Sequence, residues 1–196
     1  MSPVLQTGGV FILQRDFFLT GIFSLINSSW SNTGAKDCQE SNTMPNIGTE
    51  KVDRVEMPEA YRYNITVSRE VIDDNEHVNN VVYVQWMQDA ATCHSDSVGC
   101  ARATQDAGAA WVARTHFIEY LRPAVAGDRI AVLTWVSNFR RASSLRKYKF
   151  VRISDGTVLS RGETSWVFVD ANTGRPRNIP EHIRGTFEVI LEGQEP

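Results

Sequence analysis

The chain has 196 residues, of which 42% are hydrophobic and 22% are charged, and its formal net charge is −3. This length provides one hydrophobic core with room for an appendage and is too short for two full domains. Neither half is strongly basic, which argues against a nucleic-acid partner.

Residues 1–57 differ in composition from the rest of the chain. They contain the apolar run FFLTGIFSLI (17–26), which is shorter than the about 20 residues that a membrane-spanning helix needs. A polar stretch rich in Ser, Asn, Thr and Gly follows. We expect a disordered extension, a targeting peptide or a leader read from a miscalled start, without stable membrane insertion.

The three cysteines are Cys38, Cys93 and Cys100, and they form no CxxC pair. We interpret them as reduced thiols, which favours a cytoplasmic protein. Cys93, His94 and Cys100 match no zinc-ligand spacing, so the sequence predicts no metal site.

Residues 58–196 have the regular pattern of one folded domain. YRYNITVSREV (61–71) alternates between polar and apolar residues and predicts a strand. Apolar positions from Val81 to Ala91 then recur every three or four residues, which predicts a long helix ending near Val98–Gly99. Residues 100–110 are small and polar and are expected to be a connection.

Four further segments have strand patterns, and a short helix is expected in the tail. The segments are AAWVARTHFIEYLRPA, GDRIAVLTWVSNFRR, SSLRKYKFVRIS and TVLSRGETSWVFVDANTG. A strand, a long helix and four consecutive strands predict an α+β fold in which one antiparallel sheet wraps around one central helix. Such a small sheet leaves edges uncovered, so we expect a dimer or a larger assembly.

The segment DDNEHVNN (73–80) places a dense polar cluster directly before the predicted helix. The free N–H groups at a helix start carry partial positive charge and polarise a carbonyl oxygen in front of them. Asp73 can attack such a carbonyl or take a proton from water. A thioester suits this attack better than an amide, because its carbonyl has little resonance stabilisation and thiolate leaves readily.

In an extended loop, Asn75 and His77 face the same side as Asp73. His77 can then orient Asp73 or pass a proton, and Asn75 can hold a water molecule. A structural interpretation fits the same residues, because Asx-rich segments before helices are often only turns and caps. Asn79 and Asn80 are good helix caps, and composition alone leaves both interpretations open.

The string DDNEHVNNVVYVQWMQDAA (73–91) resembles the D-x-x-G-H-V-N-N-x-x-Y signature of the hotdog-fold thioesterases, the group of 4-hydroxybenzoyl-CoA thioesterase and related acyl-CoA thioesterases. The resemblance covers about residues 58–190. It implies hydrolysis of an acyl thioester, carried by CoA or by acyl carrier protein, without a metal or redox cofactor. A homodimer or homotetramer is the expected assembly.

The resemblance also implies roles for individual residues. Asp73 would be the nucleophile or general base, and a backbone N–H near Asn80 and Val81 would polarise the thioester carbonyl. Asn79 and Tyr83 complete the motif and are expected to help bind the substrate. The spacing of Asp73, Asn75 and His77 is similar to a trio in the plant acyl-ACP thioesterases.

Two departures from the family pattern affect these expectations. Glu76 replaces the usual glycine, which suggests a different loop path or a charge at the pocket mouth. The plant enzymes carry a Glu-Cys pair on the next strand, and the best match here is Pro123-Ala124, so a second catalytic acid is unsupported. Glu119 is close in sequence, but nothing in the sequence fixes it in the site.

Other segments allow more than one interpretation. The basic run FRRASSLRKYKFVR (139–152) fits either the phosphates of CoA or a solvated strand face. Val84, Trp86, Met87 and Trp135 are candidates for lining an acyl tunnel or for plain core. Two alternative functions also stay open: an enoyl-thioester hydratase or dehydratase on the same fold, and a non-catalytic acyl-thioester binding protein.

Overall fold

The computed structural model describes residues 59–196 and the two residues Ile12–Leu13. The predictions for the rest of residues 1–57, and for Cys38, lie outside the described residues. Among the described residues, no helix combines the length and the apolar character needed to cross a membrane.

Six strands form one antiparallel sheet. They are β1 (Ile12–Leu13), β2 (Tyr61–Thr66), β3 (Ala109–Tyr120), β4 (Arg129–Phe139), β5 (Ser143–Arg152) and β6 (Val158–Asp170). The strand order is β1-β3-β6-β5-β4-β2. All five long strands predicted from the sequence are present, and consecutive strands from β4 to β6 pair as neighbours.

Helix α1 (Asn80–Ser97) lies against one face of this sheet and forms the main core with it. Its buried stripe includes Tyr83, Trp86, Met87 and Ala90, which recur at helical spacing. Val81, which the sequence pattern places among the apolar positions of the helix, is 68% exposed. The predicted α+β plan, a sheet packed around one long helix, is confirmed, and the helix ends at Ser97 as expected.

The connection predicted at residues 100–110 is wrong, because a second helix, α2 (Cys100–Asp106), occupies most of it. Its buried side chains are Cys100 and Thr104, and the Trp111 indole Nε1 donates a hydrogen bond to Thr104 Oγ1 at 3.2 Å. A short helix in the tail, α3 (Glu181–Arg184), is present as predicted.

The chain end covers part of the other face of the sheet, where Trp135 packs with Ala60 and Ile190. Trp135 therefore lies away from α1, whereas Trp86 and Met87 belong to the main core. The reduced-thiol prediction agrees with the structure for Cys100, which is free and buried. It is wrong for Cys93, which is disulfide-bonded.

Candidate functional site

The polar segment before α1 is a tight turn organised by Asp73. The Asp73 N–H donates to the His77 carbonyl oxygen at 2.8 Å, and the Glu76 N–H donates to the Asp73 carbonyl oxygen at 3.0 Å. The Asp73 side chain also stabilises the turn, because its Oδ1 accepts hydrogen bonds from the N–H of Asn75 at 2.9 Å and from the N–H of His77 at 3.4 Å. The extended loop expected from the sequence is therefore wrong, and the chain reverses direction here.

This turn separates the three side chains that the sequence grouped together. Asp73 is half-buried, whereas Asn75 and His77 are exposed. The contacts from Asn75 and His77 to the Asp73 carboxylate are made by their backbone N–H groups. Among the described residues, neither the His77 ring nor the Asn75 amide hydrogen-bonds that carboxylate.

Glu76 occupies the position where the family signature has glycine, and its φ is 63°. This is the left-handed region, which glycine adopts without a steric penalty and which other residues adopt only at a cost. Glu76 therefore takes the backbone conformation for which a glycine is suited. Its side chain is exposed, which places a negative charge on the surface of the turn.

The start of α1 is capped by Asn79. Its Oδ1 accepts a hydrogen bond from the Val81 N–H at 2.9 Å, and its carbonyl oxygen accepts one from the Val82 N–H at 3.0 Å. Asn80, the first helical residue, has an N–H without a hydrogen-bond acceptor in the described part of the chain. Of the two N–H groups expected to polarise a substrate carbonyl, the one on Asn80 is available and the one on Val81 is occupied by the cap.

The remaining predicted residues of the site differ in accessibility. The exposed side chain of Val81 gives the helix start an apolar surface. Tyr83 is only 2% exposed and packs edge-on against Tyr120 and Phe150, with ring centroids 5.3 and 5.2 Å away. Burial raises the pKa of Tyr83 to about 12. Tyr83 is therefore a neutral core residue beneath the site and has almost no reachable surface.

A second segment, residues 121–128, lies beside the turn, and sequence reasoning did not find its role. The Ala124 carbonyl oxygen accepts a hydrogen bond from the Val78 N–H at 2.9 Å. Arg152 supports this segment, donating to the Pro123 carbonyl oxygen at 2.8 Å and to Asp128 Oδ2 at 3.0 Å. Apart from the match of Pro123-Ala124 to the Glu-Cys pair of the plant enzymes, no signal in the sequence connects these positions to the polar cluster.

Tyr120 joins the end of β3 to the helix start, because its hydroxyl donates to the Asn80 carbonyl oxygen at 2.9 Å. Glu119, the neighbouring acid, is exposed and, by strand alternation, lies on the opposite face of the sheet from Tyr120. It therefore supplies no second acid to the turn. Among the described residues, no three His, Cys, Asp or Glu side chains are grouped to hold a metal ion.

The sequence matches the model of the thioesterase-like superfamily over residues 67–187, more than half of the chain. It is also 29% identical over 86 residues to a chloroplastic palmitoyl-acyl carrier protein thioesterase from Gossypium hirsutum, covering 44% of this chain and 21% of that protein. The chain therefore spans about a fifth of the length of the curated relatives it matches.

Solved structures with the same fold include a probable thioesterase from Escherichia coli, at 20% identity and a TM-score of 0.61, covering 64% of this chain and 95% of that one. A 1,4-dihydroxy-2-naphthoyl-CoA thioesterase from Synechocystis has 16% identity and a TM-score of 0.59, and the match covers 70% of this chain and 99% of that one. Such identities support the fold, and the match over residues 67–187 shows the family. The predicted family and fold are confirmed: this chain belongs to the thioesterase-like superfamily and has the hotdog fold.

Proposed function

We propose that this protein hydrolyses an acyl thioester to a carboxylic acid and a thiol. One observation carries the proposal: the half-buried carboxylate of Asp73 is held in a turn that leads directly into a helix whose first N–H, on Asn80, is unpaired among the described residues. A carboxylate and a backbone donor with partial positive charge are the two groups that thioester cleavage needs.

The Asn80 N–H is the proposed donor to the thioester carbonyl oxygen. Negative charge builds up on that oxygen when the carbonyl carbon is attacked, so the donor stabilises the transition state more than the bound substrate. One donor of this kind contributes about 10²–10³ in rate. The Asn79 cap and the Tyr120 hydroxyl hold the first helical turn in place for this contact.

Asp73 acts by one of two routes. As a nucleophile, a carboxylate oxygen bonds to the carbonyl carbon, the C–S bond breaks, the thiolate takes up a proton, and water hydrolyses the resulting anhydride. As a general base, Asp73 removes a proton from water, the hydroxide attacks, and the proton passes to the departing thiolate. Neither route changes an oxidation state, and the proposal includes no metal or redox cofactor.

The two routes differ in where solvent oxygen appears. In ¹⁸O-labelled water, the general-base route puts label into the product acid at the first turnover and never into Asp73. In the nucleophilic route, water that attacks the enzyme side of the anhydride puts its label into Asp73, and the product acid of that turnover leaves with an unlabelled oxygen from Asp73. Mass spectrometry of the peptide containing Asp73 distinguishes the two routes. Unlabelled peptide after many turnovers favours the general-base route.

The proposed assembly is a homodimer or homotetramer. On β3, Val112 is 44% exposed, and in the described part of the chain β1 pairs with two residues of this strand. The apolar side chain of Val81 is exposed beside the turn as well. A second subunit covering these surfaces would enclose the turn and bring its own groups towards Asn75 and His77. Sedimentation velocity measures the assembly, and a monomer at micromolar concentration would contradict it.

The carrier of the acyl group is proposed to be CoA or acyl carrier protein. Both kinds of carrier occur among the proteins that this chain resembles, a palmitoyl-acyl carrier protein thioesterase and a 1,4-dihydroxy-2-naphthoyl-CoA thioesterase. The test is thiol release, followed with a thiol-reactive dye, from acyl-CoAs of graded length, from benzoyl-CoA and from palmitoyl-acyl carrier protein. Saturable release from either carrier supports the proposal. Binding without release from both would contradict it and favour a non-catalytic binding protein.

A further inference from the structure

A cavity of about 290 Å³ lies at the other end of α1 from the Asp73 turn. The last turns of α1, helix α2 and the inner face of the sheet line it, and Thr92, Thr104 and Trp166 are among its lining residues. At a rise of about 1.5 Å per residue, Thr92 lies roughly 18 Å along the helix from Asn80. None of its lining residues belongs to the Asp73 turn or to the first turn of α1.

Arg146 lines this cavity and is 5% exposed. Its Nη1 donates to His94 Nδ1 at 2.9 Å and to Thr134 Oγ1 at 3.3 Å, and its guanidinium lies 5.1 Å from the centre of the Phe187 ring. In residues 59–196, no carboxylate forms an ion pair with it. Its Nε and Nη2 have no acceptor in the same range.

Within the described residues 59–196, no negative charge accompanies Arg146. A buried charge without a counter-ion is strongly unfavourable. His94 does not compensate, because burial, and then the charge of Arg146, lowers the pKa of His94 to about 3 and keeps its ring neutral. The Thr134 hydroxyl is neutral too, and the Phe187 ring offers only the weaker attraction of a cation–π contact.

Two further polar groups lie near this cation, the Trp166 indole Nε1, on a residue that lines the cavity, and the Tyr148 hydroxyl beside it. The register of β5 and β6 pairs Arg146 with Thr164 and Ser144 with Trp166, so Arg146 and Trp166 are diagonal neighbours on one face.

We propose that this cavity binds the carboxylate of a small organic acid, with Arg146 as the anchoring cation. The planar guanidinium matches the geometry of carboxylates and phosphates, and a cavity with largely apolar walls suits the singly charged carboxylate of an organic acid. The rest of the ligand is apolar, because Trp111, Val136 and Phe139 form much of the wall. The volume is at the lower limit for ligand pockets and fits a compact aromatic or short aliphatic acid.

The first test uses benzoate and hexanoate as probes, with benzamide as a neutral isostere of benzoate and sodium chloride at matched ionic strength. We expect the acids to raise the melting temperature of the full chain saturably, and benzamide and chloride to leave it unchanged. Isothermal titration calorimetry should show at least tenfold weaker benzoate binding to Arg146→Met. Arg161→Met, which removes an exposed arginine, should bind benzoate as the unmodified protein does.

Arg146→Met is expected to fold, because an apolar side chain of similar size replaces an unpaired buried charge. A second readout needs no variant: benzoate should shift the Trp166 indole N–H signal in a ¹H–¹⁵N spectrum. The proposal is overturned if no acid moves that signal or the melting temperature up to the solubility limit. Equal benzoate binding to Arg146→Met, or equal binding of benzamide, overturns it as well.

Discussion

The hydroxyl of Tyr120 donates a hydrogen bond to the carbonyl oxygen of Asn80, 2.9 Å away, and so ties the end of β3 to the first residue of α1. The same residue, Asn80, carries the N–H that we propose as the donor to the thioester carbonyl. The position of this donor therefore depends on a contact between two elements far apart in sequence.

Replacing Tyr120 with phenylalanine removes this hydrogen bond and keeps the ring packing against Tyr83. We expect a loss of about 1 kcal/mol in the free energy of unfolding, measured by urea denaturation. We also expect kcat to fall several-fold, because the first helical turn is held less firmly. Tyr63→Phe is the control, since the Tyr63 hydroxyl has no hydrogen bond among the described residues. Equal effects of the two changes would contradict this role of Tyr120.

Glu76→Gly should stabilise the protein. The left-handed conformation costs a residue with a side chain roughly 1–2 kcal/mol, and glycine recovers this while losing about 0.4–1 kcal/mol through the entropy of the unfolded chain. The net expected gain in unfolding free energy is about 0.5–1 kcal/mol. Glu76→Ala removes the same charge but keeps the strain, so it should give no comparable gain. If both variants gain equally, relief of charge repulsion and not of backbone strain is responsible.

Asn79 caps the helix beside the proposed oxyanion donor, and two substitutions separate these contributions. Asn79→Ala should lower the unfolding free energy by about 1 kcal/mol, because the Val81 N–H loses its acceptor. Asn79→Asp keeps the cap and should retain stability, yet its negative charge opposes the oxyanion and should reduce kcat. If kcat is unchanged in Asn79→Asp, the negative charge of the transition state does not develop near the start of α1.

Because the pKa of His94 is lowered in the folded protein, we expect the free energy of unfolding to depend on pH. Its folded-state pKa is about 3, lowered first by burial and then by Arg146. The unfolded chain therefore binds a proton below about pH 6.5 while the folded protein does not, so stability is present above that pH and is lost on acidification. When the pH falls from about 7 to about 5, the free energy of unfolding of the unmodified protein should decrease by about 2 kcal/mol more than that of His94→Gln. The exposed His182 provides the control, since His182→Gln should leave this loss unchanged.

Sequence patterns identified α1 because its periodicity and its Asn79 cap are local properties. They missed α2, a seven-residue helix, because its small residues give too short a pattern, and its place is fixed by the contact of Thr104 with Trp111. The burial of Arg146 was missed for a related reason. The alternation of side chains along β5 places Arg146 and Lys147 on opposite faces of the sheet, but it does not show which of the two faces α1.

The candidate site was predicted in part. Asp73 and the helix start follow from the motif, and the structure places them on one continuous segment. The joint orientation of Asn75 and His77 rested on an extended chain, and the Asp73 side chain instead accepts their backbone N–H groups and closes a turn. Hydrogen bonds between side chains and the backbone determine the course of the chain in such a segment, and they cannot be predicted from the alternation of residue types.

The comparison of Asp73→Asn with Asp74→Asn tests the central claim most directly. Asparagine keeps an oxygen that can accept from the Asn75 N–H, so the turn is preserved while the carboxylate is lost. Asp74 is exposed and adjacent, and its replacement removes the same charge. With thiol release from the best substrate as the assay and thermal unfolding as the check on folding, kcat/KM of Asp73→Asn should fall by at least about 10² and that of Asp74→Asn by less than about threefold. Equal release by the two folded variants would contradict catalysis by Asp73.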